Sequence, residues 1–445
     1  MITPSHLEHG LWRLPESRSA EFTELDFWIE MSKMIEDAKV DGVFFADVLG
    51  LYEATEWKDV VKNAVQFPSN DPMVMISALA QATKHLGFIY TSTVTAVLPF
   101  MFARQASSLD HLTKGRIGWN VVSGSTGNGA RSLGTDGLNE HSKRYNIADE
   151  YLEVTYKLWE GSQDDGALIR DKERGWYTDP KKVHKIHHSG EYFKVEGPHQ
   201  VPPSPQRTPL VFQAGSSGPG LAFAGKNAEG VFLISGSPEA AKKKVDSIKE
   251  AAVEAGRDPE EIHFVEGVTL VIGETMEEAK KKEQYYDANA SVPAHALQMI
   301  GATGLDISKF SPDTLLEDIM DQVPGFTGPL THAIDRIKDR KATVQDLAAS
   351  TTTLFRIVGT PATIADRFQQ YLDVGITGFN IVTAIMDVSV TDFCDLLAPE
   401  LKKRGMMKTE YSPGTFREKL FPGNGPFLSK THPGSKYRGI YGEDE

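Results

Sequence analysis

The sequence predicts an α/β fold, and within that class a (β/α)8 TIM barrel with long insertions. Short apolar runs rich in β-branched and aromatic residues alternate with longer stretches of helical period. The apolar runs are nearly continuous, as in parallel strands that are covered on both faces. Each run also ends in small or polar residues, and the carboxyl ends of barrel strands are where such folds place their active sites.

Seven strands are predicted in chain order, at 42–48, 86–94, 116–124, 209–215, 230–236, 263–273 and 378–384. Stretches of helical period separate them, including 26–40, 73–86, 147–161, 239–256 and 360–375. A closed barrel of this class needs eight strands, and the segment before residue 26 contains no convincing one. The first barrel strand is therefore expected to be missing or atypical, which would leave two strand edges unpaired.

We expect one domain that spans residues 1–445. Two long insertions interrupt the strand and helix alternation, at about 160–208 and about 274–350, and the first contains a predicted pair of short strands. Insertions of this length in compact domains are usually lids or interfaces. The tail 405–445 is rich in glycine, proline and charge, and we expect it to wrap the surface or a partner subunit.

Composition excludes several classes of function. The formal net charge of −14 argues against a nucleic-acid partner, because phosphate backbones attract basic surfaces. Cys394 is the single cysteine, so a disulfide within the chain is impossible. The N-terminus lacks the basic start and apolar run of a signal peptide, and no apolar run approaches the roughly 20 residues that span a bilayer. We therefore expect a cytoplasmic protein without a membrane partner.

The segment 213–234, QAGSSGPGLAFAGKNAEGVFLI, is a candidate anion site. A strand ends there, small residues let the backbone approach a ligand, and a helix then begins with free N–H groups. The hydroxyl of Ser217 could add a hydrogen bond. An ordinary glycine-rich turn between strand and helix remains the alternative, and the pattern is neither GxGxxG nor a Walker motif.

A second candidate is the helix start at 139–154, where His141, Arg144 and Tyr145 share one side. A His and a Tyr there can donate hydrogen bonds to a ring or an anion at the barrel mouth. Alternatively, Arg144 pairs with Asp149 or Glu150 and the group only caps a helix.

The histidines of VHKIHHSGEYF, at 184, 187 and 188, have a spacing that could suggest a metal. No acidic ligand recurs at a useful spacing, so we predict no metal site. A GxSxG nucleophile elbow is also absent from the sequence.

Four long motifs resemble the bacterial-luciferase-like flavin monooxygenases. The resemblance is closest to the branch of nitrilotriacetate, dibenzothiophene-sulfone and long-chain alkane monooxygenases, and it runs from about residue 6 to about residue 425. The motifs, in chain order, are SLDHLTKGRIGWNVVSG, HSKRYNIADEYLEVTYKLWEG, the stretch from YTDPKKVHKIHHSGEYF to QAGSSGPGLAFAGKNAEGVF, and GTPATIADRFQQYLDVGITGFNIV.

This resemblance implies a two-component enzyme that uses reduced FMN and O2, with a separate NAD(P)H:flavin reductase. It also implies a homodimer or homotetramer. His141 is the implied proton donor and Tyr145 orients it. The residues that fall on FMN-contacting positions or point into the same cavity are Asp47, Thr91, Asn120, His141, Tyr145, Ser216 and Ser217.

Tyr52 and Gln66 fall where the alkane branch has substrate-side residues. No cluster of Arg or Lys marks a polyanionic substrate, which favours a small, fairly apolar organic one. The sequence departs from the family in two places, since the strand expected before HGLW is absent and TVTAVLPF lacks a usual aromatic residue. A deazaflavin-dependent oxidoreductase on the same barrel and a degenerate flavin-binding protein are the alternatives.

Overall fold

A computed structural model describes residues 3–53, 56–215, 218–322, 330, 334, 337, 339–348 and 355–441, without the side chains of His141 and Ser308. Its centre is a parallel sheet of eight strands, with two short antiparallel pairs outside it. The strands are β1 Gly42–Phe45, β2 Gly87–Thr93, β3 Ile117–Val122, β4 Leu168–Asp171, β5 Trp176–Thr178, β6 His188–Ser189, β7 Lys194–Val195, β8 Leu210–Gln213, β9 Gly230–Leu233, β10 His263–Ile272, β11 Arg356–Gly359 and β12 Gly378–Val382.

Helices cover the sheet, and many begin with a capping side chain or a proline, as helix starts prefer. The α-helices are α1 Leu25–Asp37, α2 Trp57–Lys62, α3 Pro72–Ala82, α4 Pro99–Thr113, α5 Gly127–Ser132, α6 His141–Tyr156, α7 Gly218–Asn227, α8 Pro238–Glu254, α9 Met276–Asn289, α10 Val292–Thr303, α11 Val344–Ala348, α12 Pro361–Leu372, α13 Met386–Asp392, α14 Ala398–Lys403 and α15 Phe416–Leu420. No helix in these residues is long and apolar enough to cross a membrane.

All seven predicted strands are present as β1, β2, β3, β8, β9, β10 and β12, which confirms the barrel order of the prediction. The eighth strand of the sheet, β11, was not predicted. It pairs only with the carboxyl-terminal half of β10, from Thr269 to Ile272. The short run that forms it carries an arginine, so its apolar signal is weak.

The described strands leave the barrel open between β1 and β12. β1 pairs with β2 and β12 pairs with β10, and neither has a partner on its other edge among the described strands. A cavity of about 360 Å³ lies between these two edges, lined by residues of both strands. The residues of β12 are half-buried, whereas those of β8 are fully buried. The expected unpaired strand edges are therefore present.

Aromatic side chains fill the lower part of the barrel. The rings of Phe44 and Phe232 stack with centroids 4.1 Å apart, and Phe212 stacks on Phe232 at 5.3 Å. Phe416 of the tail closes this end from below, in one buried cluster with Phe212 and Ile89. These packed side chains form an apolar plug, and the polar side chains at the carboxyl ends of the strands lie above it.

The first insertion and the tail pack against the barrel. The first insertion contains two short antiparallel pairs, β4–β5 and β6–β7, where one pair was predicted. The tail is anchored by a buried ion pair, in which the guanidinium of Arg417 donates to the carboxylate of Glu229 at 2.6 and 2.8 Å. The tail therefore packs on the surface of its own barrel, which is one of the two arrangements expected from the sequence.

Candidate active site

A cavity of about 640 Å³ opens at the carboxyl ends of the first three barrel strands. Its wall includes Asp47 after β1, Thr91 and Thr93 of β2, and Val122 and Gly124 at the end of β3. This volume lies within the roughly 300–1,000 Å³ that is typical of ligand and cofactor sites. Asp47 and Thr91, two of the polar strand ends predicted at the barrel mouth, therefore line a cavity.

Thr91 and Asn120 form the best-defined polar pair at this mouth. They are register partners on β2 and β3, and the side-chain amide of Asn120 donates to the hydroxyl of Thr91 at 3.0 Å. The two residues are only 7% and 3% exposed. The carbonyl oxygen of the Asn120 side chain has no hydrogen-bond partner in the described part of the chain. A buried acceptor of this kind usually meets a ligand or a bound water.

Asp47 supplies a carboxyl group with a shifted pKa at the same mouth. Burial raises the pKa of Asp47 to about 6, and the negative charge of Asp71 adds to the shift. The Asp71 side chain in turn caps α3 by accepting the backbone N–H of Met73 at 2.8 Å. Asp47 can therefore donate a hydrogen bond when protonated and accept one when ionised, within the pH range of ordinary assays. We name Asp47, Thr91 and Asn120 the strand-end cluster.

Arg144 lies beside this cluster at the start of α6. Its guanidinium donates to the backbone carbonyl of Gly124, and its Nε atom is buried without a partner among the described residues. Burial lowers the pKa of Arg144. Arg144 does not pair with Asp149 or Glu150, which was the alternative. Asp149 binds Lys226 at 2.9 Å, and Glu150 accepts backbone N–H groups of the first insertion. A buried donor atom without a partner at a mouth favours an anionic or carbonyl ligand.

Tyr145 reaches the turn that follows β8. Its ring lies 5.6 Å from that of Phe223 on α7. A Cβ atom at Gly215 would lie 2.9 Å from the Tyr145 hydroxyl, so only glycine lets this turn pass so close to α6. Ser216 and Ser217 lie outside the described residues, as does the side chain of His141. Helix α7 begins at Gly218, directly after this turn.

The structure does not place Tyr52 and Gln66 on the wall of this cavity. Both are 7% exposed and lie behind it, beneath α10 of the second insertion. The side-chain amide of Gln298 points at the Tyr52 hydroxyl from 3.5 Å. Burial raises the pKa of Tyr52 to about 12. At Gly301 of α10, a Cβ atom would lie 2.2 Å from the Tyr52 ring, so the helix packs flat against the aromatic face.

Two buried histidines adjoin Tyr52 and Gln66, and sequence reasoning missed them. The backbone N–H of His9 donates to Nε2 of His295 at 3.3 Å, and Nδ1 of His9 lies 2.7 Å from the Ser5 hydroxyl. Burial lowers the pKa of His9 to about 4. Burial, with repulsion from His9 and Arg356, lowers the pKa of His295 to about 2. We name the set the sealed cluster: Tyr52, Gln66, His9, His295 and Gln298.

No local pattern could have revealed this set, because His9 and His295 are 286 residues apart. Of the three histidines in VHKIHHSGEYF, His184 and His188 have ordinary partners and His187 is exposed. His184 contacts Asp164 at 3.0 Å and His188 contacts Glu150 at 3.2 Å. Across the described ranges, no group of three or more His, Cys, Asp or Glu side chains could hold a metal ion.

Comparison with known proteins gives a consistent result. Residues 10–378 match the family model for luciferase-like monooxygenases. The chain is 42% identical to the long-chain alkane monooxygenase of Geobacillus thermodenitrificans, over 98% of this chain and 96% of that one. It is 41% identical to the dimethyl-sulfide monooxygenase of Hyphomicrobium sulfonivorans, over 99% and 93%. The crystal structure of DmoA from that organism superposes with a TM-score of 0.92, at 40% identity, over 99% of this chain and 95% of that chain.

Proposed function

The chain belongs to the luciferase-like monooxygenase family, and we propose that it is an FMN-dependent, two-component monooxygenase. It would use reduced FMN and O2 to oxidise a small, fairly apolar organic substrate. The observation that carries this proposal is the strand-end cluster. The titratable Asp47 and the Thr91 hydroxyl stand on the wall of a cavity of about 640 Å³. Asn120, whose side-chain carbonyl has no partner among the described residues, donates to that Thr91 hydroxyl.

The residues at the mouth suit a flavin. Asp47, Thr91 and Asn120 offer donors and acceptors to the polar edge of a flat ring, and Tyr145 stands beside the turn after β8. We assign the phosphate to Ser216, Ser217 and the start of α7, because a helix N-terminus presents free N–H groups to an anion. When bound, the reduced flavin supplies the activation of O2, and the chain supplies position, dryness and protons.

Two further roles are proposed for residues around the mouth. His141 begins α6 next to Arg144 and Tyr145, and we assign it the proton donation to the reacting group, with Tyr145 orienting it. Tyr52 and Gln66 act on the substrate side. They do so from behind the wall, through the second insertion that covers them, and not as part of the strand-end cluster.

The charges of the cavity favour an apolar substrate. The ionisable Asp, Glu, Lys and Arg residues of its described wall are Asp47, Asp71 and Arg104. A polycarboxylate would require several cationic side chains to replace its hydration, and one arginine does not provide them. The names of the two relatives, which act on long-chain alkanes and on dimethyl sulfide, support the same substrate class.

Partners and organisation follow from the same proposal. A separate NAD(P)H:flavin reductase would deliver reduced FMN, which places the protein in the cytoplasm, where these nucleotides are available. Residues 1–445 would act as one domain, and the active form would be a homodimer or homotetramer. We propose neither a nucleic-acid nor a membrane partner, and the formal charge of −14 supports the former point.

Anaerobic titration with reduced FMN, followed by 18O2, tests the function. We expect saturable binding of reduced FMN and one 18O atom in the product from a panel of n-alkanes and dialkyl sulfides. Failure to bind reduced FMN would refute the proposal. Conversion of all the oxygen to hydrogen peroxide with every substrate would refute the monooxygenase activity and leave a flavin-binding protein. Reduced 5-deaza-FMN is the matched control, because it keeps the ring shape and the phosphate. It should bind but give no 18O in the product, since a reduced deazaflavin does not activate O2.

A further inference from the structure

The loop that follows β1 joins the strand-end cluster to the sealed cluster. Asp47 at its start lines the cavity, and Tyr52 near its end is buried against α10. Residues 46–53 form neither helix nor strand, so the shape of this loop depends on its contacts with other segments. Because the loop is short, a shift of its backbone would move both side chains. We name residues 47–49 the cofactor half and residues 51–53 the substrate half, after the roles proposed for Asp47 and Tyr52.

The start of α5 holds the middle of this loop through two hydrogen bonds. The hydroxyl of Thr126 donates to the backbone carbonyl of Leu49. The backbone N–H of Leu51 donates to the side-chain carbonyl oxygen of Asn128 at 2.9 Å. The Thr126 oxygen also accepts the backbone N–H of Gly129 at 3.1 Å, so the same side chain caps α5. We name Thr126 and Asn128 the α5 clamp.

Two glycines show how closely the loop approaches α5. A Cβ atom at Gly50 would lie 2.4 Å from the backbone nitrogen of Gly129, and one at Gly129 would lie 2.3 Å from the carbonyl oxygen of Leu49. Gly50 also has a φ of +85°, in the left-handed region that favours glycine. A side chain at either position would push the two backbones apart. The clamp therefore acts over a backbone contact, which keeps the loop in one place.

The clamp reaches Asp47 through the peptide group next to it. The backbone N–H of Val48 donates to the Asp47 carboxylate, and this bond opposes the rise that burial and the charge of Asp71 cause in the pKa of Asp47. Leu49, whose carbonyl Thr126 holds, is the next residue. Without the Thr126 hydroxyl this backbone can turn, and the Asp47 carboxyl group loses its orientation at the cavity wall.

The clamp reaches Tyr52 through Leu51. Leu51 packs against a buried cluster that contains Tyr52 and Ala294 of α10. At Gly301, on the same helix, a Cβ atom would lie 2.2 Å from the Tyr52 ring, so the ring and the helix are in direct contact. A movement of Leu51 therefore changes where Tyr52 meets α10, and Asn128 is the group that holds the Leu51 N–H in place.

We propose that Thr126 and Asn128 are positioning residues for the reaction, which fix the distance between the bound cofactor and the substrate. Thr126 holds the cofactor half of the loop, and Asn128 holds the substrate half. Both act through the loop, because the Thr126 hydroxyl and the Asn128 carbonyl oxygen are bonded to it. The identity of the two ligands rests on the proposed function, whereas the coupling of the loop to α5 and α10 does not.

Binding and turnover test the division between the two halves. Thr126→Val should weaken the binding of reduced FMN several-fold in an anaerobic titration and leave the KM for substrate, at saturating reduced FMN, nearly unchanged. Asn128→Ala should leave that affinity as in the wild type and raise the KM for n-alkanes or dialkyl sulfides several-fold. Thr126→Ser and Asn128→Asp keep the bonding oxygen and should restore the wild-type values. Equal losses of both quantities in Thr126→Val and Asn128→Ala would show that the clamp only supports the fold, and would overturn the inference.

Thr135→Val is the matched control on the same helix. The Thr135 hydroxyl donates to the backbone carbonyl of Ala130 at 2.8 Å, at the other end of α5, and bonds no residue of the loop. This variant should match the wild type in both measurements. A loss of reduced-FMN affinity in Thr135→Val as large as that in Thr126→Val would also overturn the inference.

Hydrogen exchange followed by mass spectrometry tests the coupling without any ligand. Asn128→Ala should raise the exchange of the α10 backbone several-fold, and Thr135→Val should not. Unchanged exchange in Asn128→Ala would refute the link from the clamp to α10. If the exchange changes as expected but the wild type does not bind reduced FMN, the proposed function is wrong and the coupling of the loop to α10 stands.

Discussion

The strand-end cluster and the sealed cluster are both polar and both buried, yet their electrostatic states are opposite. In the first, Asp47, a carboxyl group with a pKa raised to about 6, lines an open cavity. In the second, His295 on helix α10 of the second insertion and His9, which contacts it, have pKa values lowered to about 2 and about 4. The first arises on neighbouring strands, the second from segments hundreds of residues apart.

The difference shows how a fold separates binding from support. Side chains at the ends of parallel strands on the inner face point into the barrel mouth, where a ligand can replace lost hydration. The groups of the sealed cluster are buried away from that mouth, and desolvation holds His9 and His295 neutral beside Gln298, which contacts Tyr52. We therefore expect changes in the sealed cluster to alter stability in acid, and changes in the strand-end cluster to alter ligand affinity and, at Asp47, the pH dependence of stability.

The largest expected effect is acid destabilisation through the sealed cluster. The pKa values of His9 and His295 are lower in the folded state than the ordinary 6.5, so the unfolded state takes up protons first. Their stabilising contribution is complete above pH 6.5 and is lost as the pH falls below it. At pH 5 we expect a loss of about 2 kcal/mol for each histidine. Urea unfolding from pH 8 to pH 5 measures it.

His295→Gln should remove about 2 kcal/mol of the acid loss, and the rest should remain because burial also lowers the pKa values of His6, His199 and His432. His187→Gln, which changes an exposed histidine, should leave the loss as in the wild type. If both variants lose the same stability as the wild type between pH 8 and pH 5, the sealed cluster does not hold neutral histidines.

A smaller effect, on affinity, is expected from Asn120→Leu. The change removes the acceptor without a partner and the donor to Thr91, while it keeps an apolar side chain of similar size. We expect reduced FMN to bind about 10-fold more weakly, the scale of one hydrogen bond to a ligand. Equilibrium titration under argon measures this affinity.

Asn227→Leu is the matched control. Asn227, the last residue of α7, is also buried but contacts Asp149. It should reduce stability and leave the affinity for reduced FMN unchanged. The contrast between the clusters fails if Asn120→Leu binds as the wild type does, or if both variants lose affinity equally.

A third effect, similar in size to that of Asn120→Leu, is expected from Asp47→Asn. The folded-state pKa of Asp47 is raised to about 6, so its contribution to stability is present below its ordinary pKa and is lost as the pH rises through 6. Asparagine does not ionise. Relative to the wild type, the variant should gain about 1–2 kcal/mol of unfolding free energy between pH 4 and pH 7. Urea unfolding of both proteins across this range gives the difference.

Asp71→Asn keeps the cap of α3 and should lower the pKa of Asp47 toward its ordinary value, which reduces the same pH-dependent difference. A difference between wild type and Asp47→Asn that does not change from pH 4 to pH 7 would show that Asp47 has an ordinary pKa.

Much of the fold could be predicted because each strand is a local pattern. The runs at 86–94 and 116–124 are apolar throughout and end in polar residues, and they became β2 and β3 with Thr91 and Asn120 as register partners. The absence of a strand before residue 26 likewise predicted the unpaired edges of β1 and β12. By contrast, β11 was missed, because its short run is ordered by pairing with half of β10 and not by its own pattern.

The amino-acid sequence by itself determined the barrel order, the polar strand ends and the family of the chain, because strand periodicity and long motifs are properties of neighbouring residues. Only the tertiary structure decided that Tyr52 and Gln66 stand behind the wall with His9 and His295, and that Arg144 turns to Gly124 and not to Asp149. It also decided that the cavity opens between α3 and α4. These contacts join segments far apart in the chain, and burial, which sets the pKa values of the groups, exists only after those segments have packed.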